Sequence, residues 1–515
     1  ESAARSRPGP PPGGAGPARA REPGAGWGIS ADRAPSPAPV ATGGVALVAA
    51  VVVALELLVA SRYGWHRDEL YFREAGRHLA WGYVDQPPFT PLVARLADSI
   101  APGNLVVLRV LPALAAGAVV AVAGLLAREL GGDRRAQIAS AATVGAGGFL
   151  LGVGHLLSTA TFDLLAWMAL LLVATRLLRT DEPRWWVVFG LVAGASMLNK
   201  NLLVVLGVAL LTGLVVERRW RLLASPWLVA GAGLALLIAA PNLWWQAGHD
   251  WPQLRMARAI SERIGTENRV TLVPLQVLLV GPAFLFVWWR GLRALHGAAE
   301  LRRFRPLVWA WPAGVVAVLV TGGRPYYAVP LTLVLVVAGI AGTPWRPALP
   351  WLIAANAIVS VVLSLPVLPE SAASVTGTVN ETAGETIGWP ELVGQVADAV
   401  AGLPPDERAS AIVLTATYGE AGAVDRFGHR WGLPQAYSPH NSYADFRRPT
   451  DDAATVVAVR FDPGYLERWF ESCDRVATVD NAAGVDNEVR GAPISVCRGL
   501  RGTWAEAWEE MRYLS

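Results

Sequence analysis

The chain has 515 residues, is 53% hydrophobic and only 17% charged, and carries a formal net charge of +3. Its apolar runs approach the roughly 20 residues that a bilayer core requires, which excludes an ordinary soluble domain. Its basic residues flank those runs and form no single patch, which excludes a nucleic-acid binder and leaves the lipid bilayer as the implied partner.

Residues 1–41 open with ESAARSRPGPPPGGAGPARAREPGAG, a Pro, Gly and Ala rich stretch with almost no large aliphatic residues. No core can offset its ordering entropy, so a disordered cytoplasmic tail is expected. A cleavable signal peptide does not fit, because the apolar run comes late and continues to membrane-spanning length. Apolar segments follow at 42–61, 104–127, 137–154, 158–178, 185–199, 201–216, 226–243, 272–289, 307–321, 327–342 and 348–367. They predict a polytopic α-helical membrane protein with about 11 transmembrane helices over 42–367.

Short loops between these segments hold Arg128, Arg134 and Arg135, then Arg176, Arg179 and Arg184, then Arg218, Arg219 and Arg221, then Arg290, Arg293, Arg302, Arg303 and Arg305. The positive-inside rule assigns those loops and the N-terminus to the cytoplasm. Trp185–Val216 would run about 48 Å as one helix, too long for a hydrocarbon core of roughly 30 Å. A hairpin is predicted instead, with Lys200 at its LNKN tip on the outer face, and His155 and Asp163 fall on that face by the same reasoning. The loops 62–103 and 244–271 and everything after about 368 then lie outside.

The last part, 368–515, changes character: SAIVLTA, TVVAVRF and APISVC read as strands and AGAVDRFGHRW as a helix, predicting an extracytoplasmic α/β domain. Cys473 and Cys497 lie in it and fit one disulfide in that compartment, or two free thiols. The YGEAG turn between strand and helix offers a weak anion-binding signal at a helix N-terminus.

The candidate chemistry concentrates in the first outer loop. Asp68 and Glu69 are adjacent carboxylates at headgroup depth, and adjacent acids push each other's affinity for protons apart, suiting one to act as a base. A solvated helix cap or an arginine-bound pair is the bland alternative. Arg62, Arg67, Arg73 and Arg77 share the loop with Tyr63, Trp65, Tyr71 and Trp81, a mixture suited to phosphate and to sugar faces or apolar chains. Tyr71, with Asp85 and Gln86 of YVDQPPF, reads as substrate-binding. Asp163 lies in a hydrophobic segment, where a carboxylate is costly unless paired or facing a polar cavity. Glu56 raises the same issue, with a structural pairing as its reading. Lys200 is the single lysine among 44 basic residues; it suits neutralisation of a phosphate, a pairing with Asp163, or interfacial snorkelling. No metal-ligand spacing occurs. The sequence requires no cofactor, and a divalent cation is compatible with the chemistry without being indicated.

Several stretches then coincide: RDELYF, GYVDQPPF, TFDLL, LNKN, HDWPQLRMA, GRPYYAVPL, YGEAGAVDRFG and GLPQAYSPHNSY. In this order they resemble the bacterial branch of the dolichyl-phosphate-mannose protein mannosyltransferase superfamily, GT-C fold glycosyltransferases that include the lipid A aminoarabinose transferases. The resemblance covers most of residues 42–510. It implies an enzyme that moves a sugar from a polyprenyl-phosphate donor to a glycan, lipid or protein acceptor at the outer face of the cell membrane. It further implies Asp68 as base with Glu69 beside it, Asp163 as second acid, and donor phosphate binding by Lys200 and a first-loop arginine, Arg67 or Arg73. Arg324 and Tyr326 of GRPYY map to donor binding.

A transporter is the main rival, since Glu56, Asp163 and Lys200 would also mark an ion or substrate pathway, but no internal repeat links two halves. A non-enzymatic scaffold, with structural acids, is the third class.

Overall fold

The computed structural model describes residue 9, residues 37–374 and residues 380–515. Most of the expected disordered tail lies outside the described residues. Its last residues are strapped to the bundle: Arg128 Nε donates to the Ala38 carbonyl at 2.8 Å, and Ala41 N donates to Gln137 Oε1 at 2.9 Å.

The helices run in chain order α1 (Thr42–Val59), α2 (Arg67–Arg77), α3 (Phe89–Ile100), α4 (Leu105–Glu129), α5 (Arg134–Gly145), α6 (Gly148–His155), α7 (Thr159–Thr180) and α8 (Trp185–Met197). They continue as α9 (Leu203–Val216), α10 (Trp220–Leu223), α11 (Pro226–Gly248), α12 (Pro252–Val280), α13 (Leu285–Gly297), α14 (Arg305–Thr321), α15 (Val329–Ala341) and α16 (Leu349–Ser364). Polar caps start several of them where the apolar runs begin: Asn104 accepts from Val107 N at 3.1 Å and Asp133 from Ala136 N at 2.8 Å. Among the described residues five helical segments are long and apolar enough to cross a bilayer; the α5–α6 and α12–α13 pairs also qualify jointly but are bent by 61° and 88°. Shorter apolar helices, α8, α9, α15 with its preceding turn, and α16, complete the bundle.

The predicted hairpin is present. α8 and α9 are separate helices, and Trp186 Nε1 at the start of α8 donates to the Leu222 carbonyl just beyond α9 at 3.1 Å, so the chain returns to the end it left. Two expectations change. The segment 272–289 is not a single straight helix, because Gly281, at φ 119°, breaks it; and most of the supposed 244–271 loop is the first two-thirds of α12. Polar residues throughout that stretch hid a helix lying against the ends of its neighbours: Asn268 Nδ2 donates to the Gly322 carbonyl at 2.9 Å. Tight helix contacts rest on small residues. A Cβ on Gly190 of α8 would come within 2.1 Å of the Gly231 carbonyl of α11, so only glycine permits that approach.

The two ends of the bundle differ. At one end Arg176 and Arg179 pair with Glu129, and Arg219 and Arg221 pair with Asp181. At the other lie Asp68, Asp163 and Lys200, with the C-terminal domain.

That domain holds a five-stranded sheet of order β2-β1-β3-β5-β4, from β1 (Ile412–Thr415), β2 (Ala436–Tyr437), β3 (Thr455–Val459), β4 (Phe470–Thr478) and β5 (Pro493–Leu500). β1 pairs in parallel with β2 and β3, while β5 pairs antiparallel with β3 and β4. β1, β3 and β5 are the strands anticipated from sequence; β4 escaped because it is a largely exposed edge strand, FESCDRVAT, without an apolar alternation. Cys473 on β4 and Cys497 on β5 stand opposite one another and are joined by a disulfide. α17 (Trp389–Ala401), α18 (Tyr418–Phe427) and α19 (Trp504–Met511) cover the sheet.

Candidate active site

α2 begins with a capping box: His66 Nδ1 accepts from Asp68 N at 3.2 Å, and Glu69 Oε2 accepts from His66 N at 2.9 Å. Successive residues on a helix point about 100° apart, so Asp68 and Glu69 face different surroundings.

Glu69 turns into the bundle with no side-chain exposure. Its Oε1 accepts from Arg109 Nε at 2.9 Å and Leu157 N at 3.1 Å, while Oε2 also accepts from Arg109 Nη2 at 2.7 Å. Arg109, from α4, donates further to the carbonyls of Ala60 and Gly64, each at 2.8 Å. A carboxylate so engaged has no lone pair free for a substrate proton. The expected catalytic place of Glu69 is therefore corrected: it is a buried strut that seats α2 on the bundle.

Asp68 faces outward with 32% of its side chain exposed. Its Oδ1 accepts from Tyr418 Oη at 2.8 Å and lies 3.7 Å from Arg67 Nε. The Tyr418 ring is sandwiched between Tyr71 and His440, at centroid distances of 4.5 and 4.6 Å, and His440 stacks in turn on Tyr513 at 4.6 Å. Tyr71 donates from below to Asp85 Oδ1 at 2.9 Å. Burial raises the Asp85 carboxyl to about 7, even though the Tyr71 hydrogen bond opposes it.

Arg67 Nη1 donates to Glu488 Oε2 at 2.7 Å and lies 3.4 Å from Glu385 Oε1. Since His66 Nδ1 accepts a backbone N–H, its proton sits on Nε2, which donates to Glu385 Oε2 at 2.7 Å. Burial would push Glu385 upward, but the His66 hydrogen bond, together with the Arg67 and Arg324 charges, outweighs it and holds this carboxyl at about 2.

Arg324 stands before the Pro325–Ala328 turn and interacts electrostatically with Tyr326, Tyr327, Asp68 and Arg67. Lys200 Nζ donates to Tyr326 Oη at 3.2 Å and sits 5.1 and 4.8 Å from the Tyr326 and Tyr327 ring centroids. Asp163, near the start of α7 and buried, feels the Lys200 charge, but its Oδ1 has no hydrogen-bond partner and the two form no direct ion pair. A linked surface thus joins Asp68, Arg67, Arg324, Tyr326, Lys200 and Asp163.

Arg73 is corrected out of the phosphate-binding set. It is buried and donates from Nε to Asp98 Oδ1 at 3.1 Å, tying α2 to α3. Gln86 is buried with both amide atoms unpartnered. Glu56 Oε2 lies 3.6 Å from His155 Nδ1 inside the bundle, and neither atom has a hydrogen-bond partner, so the structural pairing expected for Glu56 is not formed. The YGEAG turn does not form an anion site, because Thr417 and Glu420 cap α18 themselves. Among the described residues no group of three His, Cys, Asp or Glu side chains is arranged to hold a metal ion.

Arg109, Tyr418, His440, Glu385 and Glu488 were not identified as site residues from sequence. Arg109 had a signal: a lone cation within an apolar segment, open to the argument applied to Asp163. The other four lie more than 300 positions from Asp68, and no spacing connects them to it.

The bundle and capping domain match solved structures over nearly their whole length. ArnT from Cupriavidus metallidurans bound to undecaprenyl phosphate aligns with a TM-score of 0.58 at 17% identity, over 88% of this chain and 98% of that one. ArnT in the apo state aligns at 0.56 and 16% identity, over 89% and 98%. No curated protein sequence matches this chain. The class is therefore a membrane protein with the GT-C glycosyltransferase fold. Within that class, residues 85–245 match the dolichyl-phosphate-mannose-protein mannosyltransferase family, and the resemblance drawn from the motifs holds. The matched region contains Arg109, Asp163 and Lys200 but not Asp68, Arg67 or Arg324.

Proposed function

We propose that this chain transfers a sugar from a polyprenyl-phosphate donor to a cell-envelope acceptor at the extracytoplasmic face, by direct displacement with inversion. The observation that carries the reading is Asp68, a half-open carboxylate held by Tyr418, beside the Arg67 guanidinium and within electrostatic reach of Arg324.

The acceptor hydroxyl oxygen attacks the anomeric carbon while Asp68 takes its proton, and the bond from that carbon to the phosphate oxygen breaks. The departing lipid phosphate is stabilised by Arg324 and by Lys200, whose Tyr326 partner gives it a fixed direction. No general acid is required, because a phosphate monoester leaves as an anion. The undecaprenyl phosphate bound to ArnT supports the donor class. The arginine-rich opposite end supports a cytoplasmic assignment for that end, and the Cys473–Cys497 disulfide suits an oxidising compartment for this one.

The test is transfer of radiolabel from defined polyprenyl-phosphate sugars into cell-envelope fractions, comparing the parent with Asp68→Asn. Transfer should fall by roughly 100-fold or more in a folded variant, and the product should carry an inverted anomeric centre. Equal transfer by both proteins would remove Asp68 from the role of base, and a retained anomer would refute direct displacement.

A further inference from the structure

The end of the bundle remote from Asp68 holds a cationic surface that the proposed chemistry leaves unused. α15 starts beside Tyr326 and Tyr327 and runs for 13 residues to Ala341, about 20 Å along its axis. Beyond it, the turn 342–348 and α13 enclose a groove of about 400 Å³ lined by Phe286, Trp289, Arg290, Arg293, Thr343 and Arg346. No carboxylate lines this groove. Among the described residues none of its three arginines makes an ion pair, and Arg290 donates only to the Pro344 carbonyl, at 3.3 Å.

This contrasts with neighbouring loops, where Arg128, Arg176 and Arg179 pair with Glu129, and Arg219 and Arg221 pair with Asp181. Here Arg290 and Arg346 are close enough to repel each other. The guanidinium groups of Arg290 and Arg293 lie over the rings of Phe286 and Trp289, at 5.7 and 6.0 Å from the centroids. Such contacts orient the cations without neutralising them.

A second groove, of about 420 Å³, opens on the far side of the same turn between α5 and α16. Ile138, Ala139, Ala142, Trp345 and Ile353 make it apolar, and exposed Arg135 joins them from the first turn of α5. Trp345 and Arg346 are consecutive, so one turn serves both grooves. Unpaired cations beside an apolar trough, with exposed Trp289 and Trp345 at the junction, match a headgroup and its acyl chain.

We propose that these two grooves bind one anionic phospholipid of the leaflet opposite the active site, its phosphate between Arg290, Arg293 and Arg346 and an acyl chain between α5 and α16. A zwitterionic lipid is disfavoured, because its ammonium group would meet the same unpaired cations. The inference rests on the helices spanning a bilayer and not on the transfer reaction, so binding is tested without any activity assay.

The experiment is native mass spectrometry of the delipidated full chain, titrated with phosphatidylglycerol, with phosphatidylcholine of the same acyl chains, and with inorganic phosphate. Phosphatidylglycerol should bind roughly tenfold more tightly than phosphatidylcholine. The triple variant Arg290→Gln, Arg293→Gln, Arg346→Gln should erase that preference. An equal change of charge through Arg184→Gln, Arg255→Gln and Arg258→Gln should leave it intact. Ala142→Phe, which narrows the apolar groove without altering charge, should weaken binding of both lipids. Equal affinity of the parent for the two lipids, an unchanged preference in the first triple variant, or the same loss in the second would overturn the proposal. Displacement of phosphatidylglycerol by millimolar phosphate would overturn it in favour of a free-phosphate site.

Discussion

Tyr418 and Asp68 are 350 positions apart and joined by a 2.8 Å hydrogen bond, so the C-terminal domain supplies part of the site's innermost layer. Asp68 comes from a loop between membrane-spanning segments and Tyr418 from the first turn of α18. Arg447 fastens the same interface by pairing with Glu74 of α2 and Asp425 of α18.

Removing only the Tyr418 hydroxyl should separate catalysis from folding. Tyr418→Phe keeps the ring between Tyr71 and His440 but loses a hydrogen bond to a carboxylate, an interaction of about 1.5–3 kcal/mol. Transfer should fall roughly tenfold in kcat, with a loss of thermal stability no greater than that of the hydrogen bond itself. An unchanged kcat would show that Tyr418 does not orient the base.

Glu69 and Arg109 should behave as one unit. Glu69→Ala strands a buried guanidinium and should destabilise the fold by about 3–5 kcal/mol. The double variant Glu69→Leu, Arg109→Met removes both charges and should recover much of that loss. Unfolding followed by intrinsic tryptophan fluorescence checks the cycle; additive losses would mean that the two groups do not couple.

α18 reaches α2 because position 422 has no side chain. A Cβ on Gly422 would lie 2.8 Å from Leu70 Cβ and 3.1 Å from the Leu70 backbone carbon, closer than atoms pack. Gly422→Ala should therefore push α18 away from α2, lower stability by about 1–3 kcal/mol and reduce transfer. Gly402→Ala, whose Cβ would meet nothing closer than 3.5 Å, is the neutral comparison. Equal effects would locate the cause in backbone freedom and not in the α2–α18 contact.

Asp85 gives the fold a pH dependence of definite sign. Its folded value of about 7 exceeds that of an unfolded aspartate, about 4, so the folded state holds the extra proton between those values. The stability linked to Asp85 is present below about pH 4 and is lost as pH rises towards 7. Asp85→Asn should flatten that slope in thermal melts taken from pH 4 to 8. A slope unchanged by the substitution would assign it to another group.

The sequence by itself determined the class of protein. Runs of Val, Leu and Ala near bilayer length, arginines clustered between several of those runs and the RDELYF to GLPQAYSPHNSY series of motifs are local features, and the bundle, the α8–α9 hairpin and three central strands followed from them. It also singled out Asp68, Lys200 and Asp163, because ionisable groups beside or within apolar segments are conspicuous, while Arg324 came from the resemblance of GRPYY. The roles of two neighbours were decided only by the tertiary structure. Asp68 and Glu69 are chemically alike and adjacent, and their difference arises from helical rotation: one carboxylate meets Arg109 across 40 positions, the other meets Tyr418 across 350. Likewise Arg67 and Arg73 are equivalent in sequence, but Arg73 pairs with Asp98 inside the loop while Arg67 sits beside Asp68 and pairs with Glu385 and Glu488 of the C-terminal domain. Long-range pairing leaves no trace in spacing or periodicity, because each partner satisfies its own local pattern and the energy of their contact exists only once the chain is folded.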